Sequence, residues 1–356
     1  MAEDAVAQQV EFGVDTFGDV THAPDGTPVP HPQVLRDVVE EGVLADRVGL
    51  DFFGVGEHHR ADFAVSAPDV VLSAIAGRTE RIHLGSAVTV LSSDDPIRVY
   101  QRFATLDAVS NGRAEVILGR GSFTESFPLF GFDLGQYEEL FNEKLDLFAA
   151  LLAEEPVTWE GGFRTPLVDQ RVYPTTESGR LKVWIGVGGS PESVVRAARY
   201  RMPLTLAIIG GDPARFLPYA DLYRRALAQF ETEPLPIAVH SPGYLADTDE
   251  QARAELFSPY KAMRDRIGKE RGWPPMGRDE FEHEITHGSL YVGSPETVAQ
   301  KMANTIRTLG VDRFDLKYSA GPLAHANMMH SIELYGTEVV PRVRELLAEE
   351  HAPIEL

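Results

Sequence analysis

Three consecutive polar side chains early in the chain have the chemistry for proton transfer. They are Glu57, His58 and His59, and they directly follow the short apolar run FFGVG at residues 52–56. Carboxyl and imidazole groups exchange protons near neutral pH. We predict that these side chains donate or accept protons at the end of a strand. A pair of ordinary surface histidines is the alternative, and no metal site is predicted because adjacent residues of an extended segment point apart.

An arginine flanked by glycines follows a second apolar run. The run AEVIL leads into Gly119, Arg120 and Gly121. Glycine allows a ligand to approach the backbone closely, and the planar guanidinium suits a phosphate group. Arg120 is therefore a candidate phosphate-binding residue, unless it pairs with a nearby carboxylate.

A glycine-rich turn before a predicted helix is a second candidate for anion binding. Gly188, Gly189 and Ser190 follow the apolar run KVWIGV and precede Pro191 and Glu192. The first turn of a helix presents free backbone N–H groups to an anion. The serine also suits helix capping without any ligand, and the Glu192 carboxylate would compete with a phosphate.

A wall of small side chains is expected at Ala87 and Val88, near the end of a third apolar run, IHLGSAVTV. Small residues would let a flat ligand lie against the backbone, although they would also fill the taper of a barrel. Together with Arg120 and the glycine turn, they indicate a planar heterocycle carrying a phosphate. Flavin mononucleotide (FMN) fits this description.

The elements that would position these residues alternate between short apolar strands and amphipathic helices. This pattern is typical of a parallel sheet with crossover helices. The eight predicted strands are 10–17, 52–57, 82–90, 114–119, 182–187, 204–209, 236–245 and 313–318. The predicted helices are 33–48, 69–77, 97–109, 137–152, 191–200, 214–230, 295–309 and a terminal helix near 323–349.

Eight strand–helix units predict one closed α/β barrel spanning residues 1–356. An open doubly wound sheet is the alternative, but no GxGxxG motif opens the first crossover. Two segments exceed normal loop length. Residues 154–179 are predicted to form a β-hairpin, and residues 248–287 a helix followed by an irregular stretch. The second insertion would act as a lid, or serve packing or dimer contacts.

Composition excludes several classes of function. The chain has 33 basic and 54 acidic residues, a formal net charge of −21, and no cysteine. Such an acidic surface repels nucleic acids and anionic membranes, and thiol chemistry is excluded. The first residues, MAEDAVAQQVEF, do not resemble a signal peptide, and no apolar run is long enough to span a bilayer. We expect a cytoplasmic protein.

Several motifs together resemble the luciferase-like, flavin-dependent monooxygenases. They are FGVGEHH, IHLGSAVTVLSSDDPIRVYQRFATLDAVSNGRAEVILGRGSF, FPLFGFDL, VWIGVGGSPESV and VGSPETVAQK, in that order along nearly the whole chain. The likeness is to an oxidoreductase branch of the family rather than to its light-emitting members. It implies a TIM-type (β/α)8 barrel with the flavin bound where the strands end.

The resemblance also implies roles for individual residues. Ala87 and Val88 would lie against the isoalloxazine ring and be joined by a non-prolyl cis peptide. Gly119 would face the reactive edge of the ring. His58 would be the catalytic histidine, acting as an acid or base, with Glu57 as a second catalytic residue and with Glu57 or His59 orienting the His58 ring. The remaining cofactor-binding residues would be Arg120, Gly188, Gly189 and Ser190 at the phosphate and Ile208 near the ring.

The implied activity is oxygenation of a small organic substrate with O2 and reduced FMN, which a separate flavin reductase would supply. Family members usually form homodimers, and the helices after the second and third strands could serve that contact. Glu138 stands where light-emitting members have a second phosphate-binding arginine, and Gly188 and Gly189 replace an acid and a serine. These departures leave open a hydride-transfer enzyme using the deazaflavin F420. A flavin-binding protein without turnover is a third possibility.

Overall fold

Eight parallel strands form a closed barrel in the computed structural model, which describes residues 10–121 and 123–349. Along the chain the strands are β1 (Glu11–Thr16), β2 (Phe52–Val55), β3 (His83–Val90), β4 (Ala114–Gly119), β5 (Val157–Trp159), β6 (Leu167–Gln170), β7 (Lys182–Val187), β8 (Leu204–Ala207), β9 (Ile237–Leu245), β10 (Tyr291–Gly293) and β11 (Arg313–Lys317). The barrel runs β1–β2–β3–β4–β7–β8–β9–β11 and closes where β11 pairs with β1. The predicted (β/α)8 fold is confirmed, and all eight predicted strands overlap a barrel strand.

Helices surround the barrel and cover its outer face. They are α1 (His31–Arg47), α2 (Pro68–Ala76), α3 (Pro96–Val109), α4 (Ser126–Phe130), α5 (Tyr137–Leu151), α6 (Pro191–Arg199), α7 (Leu217–Gln229), α8 (Asp249–Arg271), α9 (Arg278–Thr286), α10 (Pro295–Leu309), α11 (His325–Leu334) and α12 (Val340–Glu349). A single π-helical turn, Tyr335–Val339, joins the last two. None of the helices in residues 10–121 and 123–349 is long and apolar enough to cross a membrane.

The starts of α6 and α10 show how sequence sets a helix boundary. Both begin at a proline, whose fixed φ and missing N–H suit the first helical position. The Ser190 hydroxyl caps α6 by accepting from the Ser193 N–H. Ser294 occupies the same position before α10, but its hydroxyl donates to the Thr297 hydroxyl, at 3.2 Å, instead of accepting from a backbone N–H.

The two long insertions are partly as predicted. Residues 154–179 contain the antiparallel hairpin β5–β6, which confirms the prediction. The segment 248–287 begins with α8 as expected, but the stretch predicted to be irregular contains α9. Phe281 and Ile285 of α9 are buried four residues apart, which is the spacing of one helical face. The segment MAEDAVAQQ at residues 1–9, on which the absence of a signal peptide was judged, lies outside the described residues.

The barrel interior is stacked in layers of different chemistry. At the amino-terminal end of the strands, buried Arg313 donates to both oxygens of buried Glu115, at 2.8 and 3.0 Å. Above this pair lies an apolar layer that includes Phe52 and Trp184. The guanidinium of Arg313 lies 4.5 Å from the Trp184 ring, so it stacks beneath that layer. The lower barrel is therefore filled by side chains of the described residues, so a ligand inside the barrel would have to enter at the carboxyl ends of the strands, here called the mouth.

Candidate functional site

One side of the mouth is floored by glycines. A β-carbon added at Gly119 would lie 2.6 Å from the Val88 side chain, and one at Gly186 would lie 3.2 Å from it. One at Gly56 would lie 2.5 Å from the Ala87 carbonyl oxygen. We call Gly56, Gly119 and Gly186 the glycine floor. Their missing side chains make room for Ala87 and Val88, which pack directly against these glycines.

The peptide bond between Ala87 and Val88 is cis, which confirms the prediction. Ala87 belongs to the apolar cluster inside the barrel, and Val88 packs against that cluster. Consecutive side chains therefore both lie on the inner side of the sheet, and the pairing of β3 with β4 shifts register at this point. The expected small-residue wall is thus present at the mouth.

Glu57 supports this wall rather than the histidine beside it. Its carboxylate accepts a hydrogen bond from the Val90 N–H, at 2.9 Å, at the end of β3. Burial raises the pKa of Glu57 to about 7, and the nearby carboxylates of Asp94 and Asp69 add to the effect, although the Val90 N–H and Arg102 oppose it. The prediction that Glu57 orients His58 is wrong, because its carboxylate is directed to β3.

His58 lies in an aromatic cage and is oriented by Glu125. Its ring centroid is 4.5 Å from those of Phe63 and Phe123 and 4.9 Å from that of Phe17. The Nδ1 atom is 3.2 Å from the Glu125 carboxylate. Burial opposes ionisation of that carboxyl, but the bond to His58 holds the pKa of Glu125 below its ordinary value. An ionised carboxylate can only accept, so Nδ1 carries the hydrogen and Nε2 is left as the ring atom that can accept a proton.

His59 points away from this arrangement. Its ring lies edge-on to Phe130, the last residue of α4, at 5.0 Å between centroids. Burial lowers the pKa of His59. Its Nε2 atom is buried without a partner among residues 10–121 and 123–349. The alternative prediction that His59 orients His58 is therefore also wrong.

Arg120 lies beside the mouth within a cluster of charged side chains. Its Nη1 atom donates to Glu138 at 2.5 Å, and its guanidinium lies 5.4 Å from the ring centroid of Tyr137. The other oxygen of Glu138 accepts from Arg196, which sequence reasoning did not identify. Arg120 therefore pairs with a carboxylate, which was the alternative to phosphate binding. A second arginine shares that carboxylate.

The glycine turn before α6 has open space around its two glycines. No described atom lies within 4 Å of a β-carbon placed at Gly188, and only the Tyr219 hydroxyl, at 3.8 Å, approaches one placed at Gly189. Ser190 caps the helix and donates its hydroxyl hydrogen to Glu192 at 2.9 Å. The turn has space for a phosphate, with one carboxylate already present.

Ile208 is not at the mouth. It is fully buried in the large apolar cluster around the barrel. Its neighbour Ile209 is 57% exposed, because adjacent residues of an extended segment point in opposite directions. Of these two residues, which follow β8, Ile209 is therefore the one whose side chain is accessible.

A second imidazole–carboxylate pair lies on the polar side of the mouth and was missed from the sequence. The Nδ1 atom of His240, on β9, is 2.7 Å from the Asp15 carboxylate on β1. Burial disfavours the charged ring, but Asp15 raises the pKa of His240 above its ordinary value. The nearby Lys317 amine donates to Asp19. The alternation of side chains along β1 and β9 indicates that Asp15 and His240 face the barrel interior. It does not indicate that the two side chains contact each other.

The insertion after β9 reaches across the mouth. Near its end, α8 supplies Glu270, which accepts two hydrogen bonds from Arg60 at 2.7 and 2.6 Å. Arg60 also lies 5.1 Å from the centre of the Phe123 ring, one wall of the His58 cage. A cavity of about 340 Å³, lined in part by Phe63 and Met263, lies between α8 and the loop after β2. Of the roles considered for the insertion, covering the mouth agrees best with these contacts.

Comparison with known proteins identifies the family. The model of the luciferase-like monooxygenases matches residues 10–313. The chain belongs to this family. It is 35% identical over 330 residues to 4-hydroxyprotoasukamycin monooxygenase of Streptomyces nodosus subsp. asukaensis, covering 88% of each chain. Luciferase-like monooxygenases are oxidoreductases, which supports an enzymatic role for this chain.

Two solved structures share the fold and differ in their cofactor. The oxygenating constituent of 3,6-diketocamphane monooxygenase from Pseudomonas putida, in complex with FMN, superposes with a TM-score of 0.77 at 18% identity, covering 94% of this chain and 99% of that one. The coenzyme F420 dependent tetrahydromethanopterin reductase of Methanopyrus kandleri gives a TM-score of 0.71 at 18% identity, with the same coverage. Similarity at this level establishes the fold, and the choice of cofactor depends on the residues of this chain.

Proposed function

We propose that this luciferase-like monooxygenase uses reduced FMN and O2 to oxygenate a small organic substrate. The observation that carries the proposal is the composition of the mouth. A glycine floor lies beneath the cis-linked Ala87 and Val88, with a guanidinium and a glycine turn on one side and the His58–Glu125 pair on the other. A flat ring bearing a phosphate would meet a surface of small residues and, beside it, guanidinium and backbone N–H donors.

The residues present fit FMN. Its ring would lie over Val88 and the glycine floor, with Ile209 at the side. Arg120, Ser190 and the N–H groups of Gly188 and Gly189 would hold the phosphate. When bound, reduced FMN would supply the electrons that activate O2. A separate flavin reductase is the expected source of the reduced flavin.

His58 would move the proton that this chemistry requires. Glu125 fixes hydrogen on Nδ1, so Nε2 is the atom that can accept or deliver a proton within the mouth. The three phenylalanine rings around His58 exclude water, and α8 covers the same region. The cavity beside Phe63 would admit the organic substrate from the side opposite Arg120. Excluding water strengthens every polar interaction formed there.

Hydride transfer with F420 is the second candidate, and one observation favours it. Glu138 neutralises part of the positive charge at the phosphate site, which disfavours the dianionic phosphate of FMN.

We also propose that the chain forms a homodimer through α2 and α3. The exposed side chains of Val70 and Val109 support this contact. A cytoplasmic location is a further part of the proposal.

Titration of the purified protein with FMN and with F420 tests the cofactor. Oxygen consumption with chemically reduced FMN across aldehydes, ketones and organosulfur compounds then tests the activity. We expect FMN binding and substrate-dependent oxygen uptake, with His58→Ala slowing turnover while FMN affinity is retained. Anaerobic turnover of F420 would replace the proposal by hydride transfer. FMN binding with no oxygen uptake on any substrate would favour a non-catalytic flavin-binding protein.

A further inference from the structure

Two arginines at the phosphate side of the mouth share one carboxylate. Arg120 lies just after β4 and Arg196 lies in α6, and they donate to different oxygens of Glu138 at the start of α5. Glu192 lies in the same cluster, at the first turn of α6. These four side chains carry no net charge. A phosphate entering the site would therefore meet arginines that are already paired.

We propose that Glu138 is an internal substitute for phosphate, and that a bound cofactor displaces it from Arg120 and Arg196. This inference rests on the proposed function. It assigns Arg196 of α6 as the second phosphate-binding guanidinium of this chain. Glu138 of α5 stands where light-emitting members have an arginine, and its carboxylate pairs with Arg196.

Arg196 is built to remain in place. Its side chain is only 13% exposed, and its guanidinium lies 5.5 Å from the Phe141 ring centroid. Its Nη1 atom is 3.3 Å from the Ser193 hydroxyl. Packing along the stem and a second hydrogen bond fix the fork before any ligand arrives, so little side-chain entropy is lost on binding.

Glu138 is the member of the cluster that can leave. Its side chain is 43% exposed, more than those of Arg196, at 13%, and Arg120, at 29%. Ion pairs of exposed carboxylates contribute little net free energy, because water competes for both partners. Although burial opposes it, contact with the two arginines lowers the pKa of Glu138, so the side chain is an anion at neutral pH. A phosphate accepts bidentate hydrogen bonds from both forks and is the stronger ligand.

Because Glu138 competes with the phosphate for Arg120 and Arg196, we expect FMN to bind more weakly than it would to the same two arginines without a carboxylate partner. Fluorescence titration with FMN, with riboflavin, which lacks the phosphate, and with F420 measures this directly. We expect Glu138→Gln to lower the Kd for FMN about tenfold by removing a competing charge, and Arg196→Gln to raise it about tenfold. The Kd for riboflavin should not change in either variant.

Matched controls lie one helical position or one turn away. Glu139→Gln and Arg199→Gln alter exposed charges of the same helices and should leave FMN affinity unchanged. Thermal unfolding of each variant checks that the fold is retained. Adding Glu138→Gln to Arg196→Gln should give a smaller gain than in the wild type, because one of the released guanidiniums is missing.

The outcomes separate this inference from the proposed function. Weaker FMN binding by Glu138→Gln, equal effects on riboflavin, or unchanged binding by Arg196→Gln would overturn the inference. Equal wild-type affinity for FMN and riboflavin would also overturn it, with flavin binding intact. A gain with F420 alone would support the role of Glu138 and change the cofactor. Failure of the wild type to bind any of the three would instead reject the proposed function.

Discussion

Replacing Gly119 with alanine tests whether the glycine floor makes the ligand site. The added β-carbon would lie 2.6 Å from one methyl of Val88, 3.2 Å from its β-carbon and 3.4 Å from the other methyl. Non-bonded carbon atoms normally lie no closer than about 3.5 Å, so the Val88 side chain would have to move by roughly 1 Å. Val88 cannot rotate freely, because β-branched side chains have few χ1 states. Its other methyl already packs against Gly186, 3.2 Å from where a β-carbon would stand.

The magnitude follows from this overlap. Adding a methyl group to a close-packed site costs about 1–3 kcal/mol of folding free energy. Unfolding entropy is about 2.1 cal/mol/K per residue, so for this chain the cost corresponds to a melting temperature lower by about 1–4 °C. A displaced Val88 would also occupy the ring site, and we expect the Kd for FMN to rise at least about tenfold, equivalent to about 1.4 kcal/mol.

Differential scanning calorimetry and FMN fluorescence titration measure the two effects. Gly188→Ala is the matched control for stability alone, because no described atom lies within 4 Å of a β-carbon there. Its stability should equal or slightly exceed that of the wild type. If Gly119→Ala melts with the wild type and binds FMN equally well, the glycine floor does not define the flavin site.

Three further predictions concern charged groups in and below the mouth. Glu125→Ala should slow oxygenation by about 10–100-fold with FMN affinity retained, because it removes a charge-assisted hydrogen bond of about 1.5–3 kcal/mol from His58; equal kcat would exclude Glu125 from the reaction. Glu57→Gln keeps an acceptor for the Val90 N–H and should preserve FMN affinity. Glu57→Ala leaves that N–H unpaired and should lower the free energy of unfolding, measured with denaturant, by about 1–3 kcal/mol. Equal stability of the two variants would contradict this. Burial raises the pKa of Asp315 from 3.8 to about 8, so the folded protein keeps a proton that the unfolded chain releases. Its contribution to the free energy of unfolding therefore falls as pH rises from about 4 to 8, by up to about 1.4 kcal/mol per unit, and Asp315→Asn should flatten the measured slope over that range.

The sequence determined the barrel because its signals are local. Alternating apolar strands and amphipathic helices have periods that can be read along the chain, and a proline at the first helical position marks where α6 and α10 begin. The likeness of whole motifs to a known family also gave the cis peptide after Ala87. Helix α9 was missed because it is only nine residues long, with two buried apolar side chains, too few for a visible period.

The partners of the site residues were decided by the tertiary structure alone. Glu125 is 67 positions from His58, Arg196 is 58 from Glu138, and His240 is 225 from Asp15. Each pair joins strands, helices or loops that are distant along the chain and meet only when the barrel closes. Residue types along the chain indicate which groups can exchange protons or bind phosphate. Which group faces which depends on the strand order and register of the closed sheet, because those set the distances between charges.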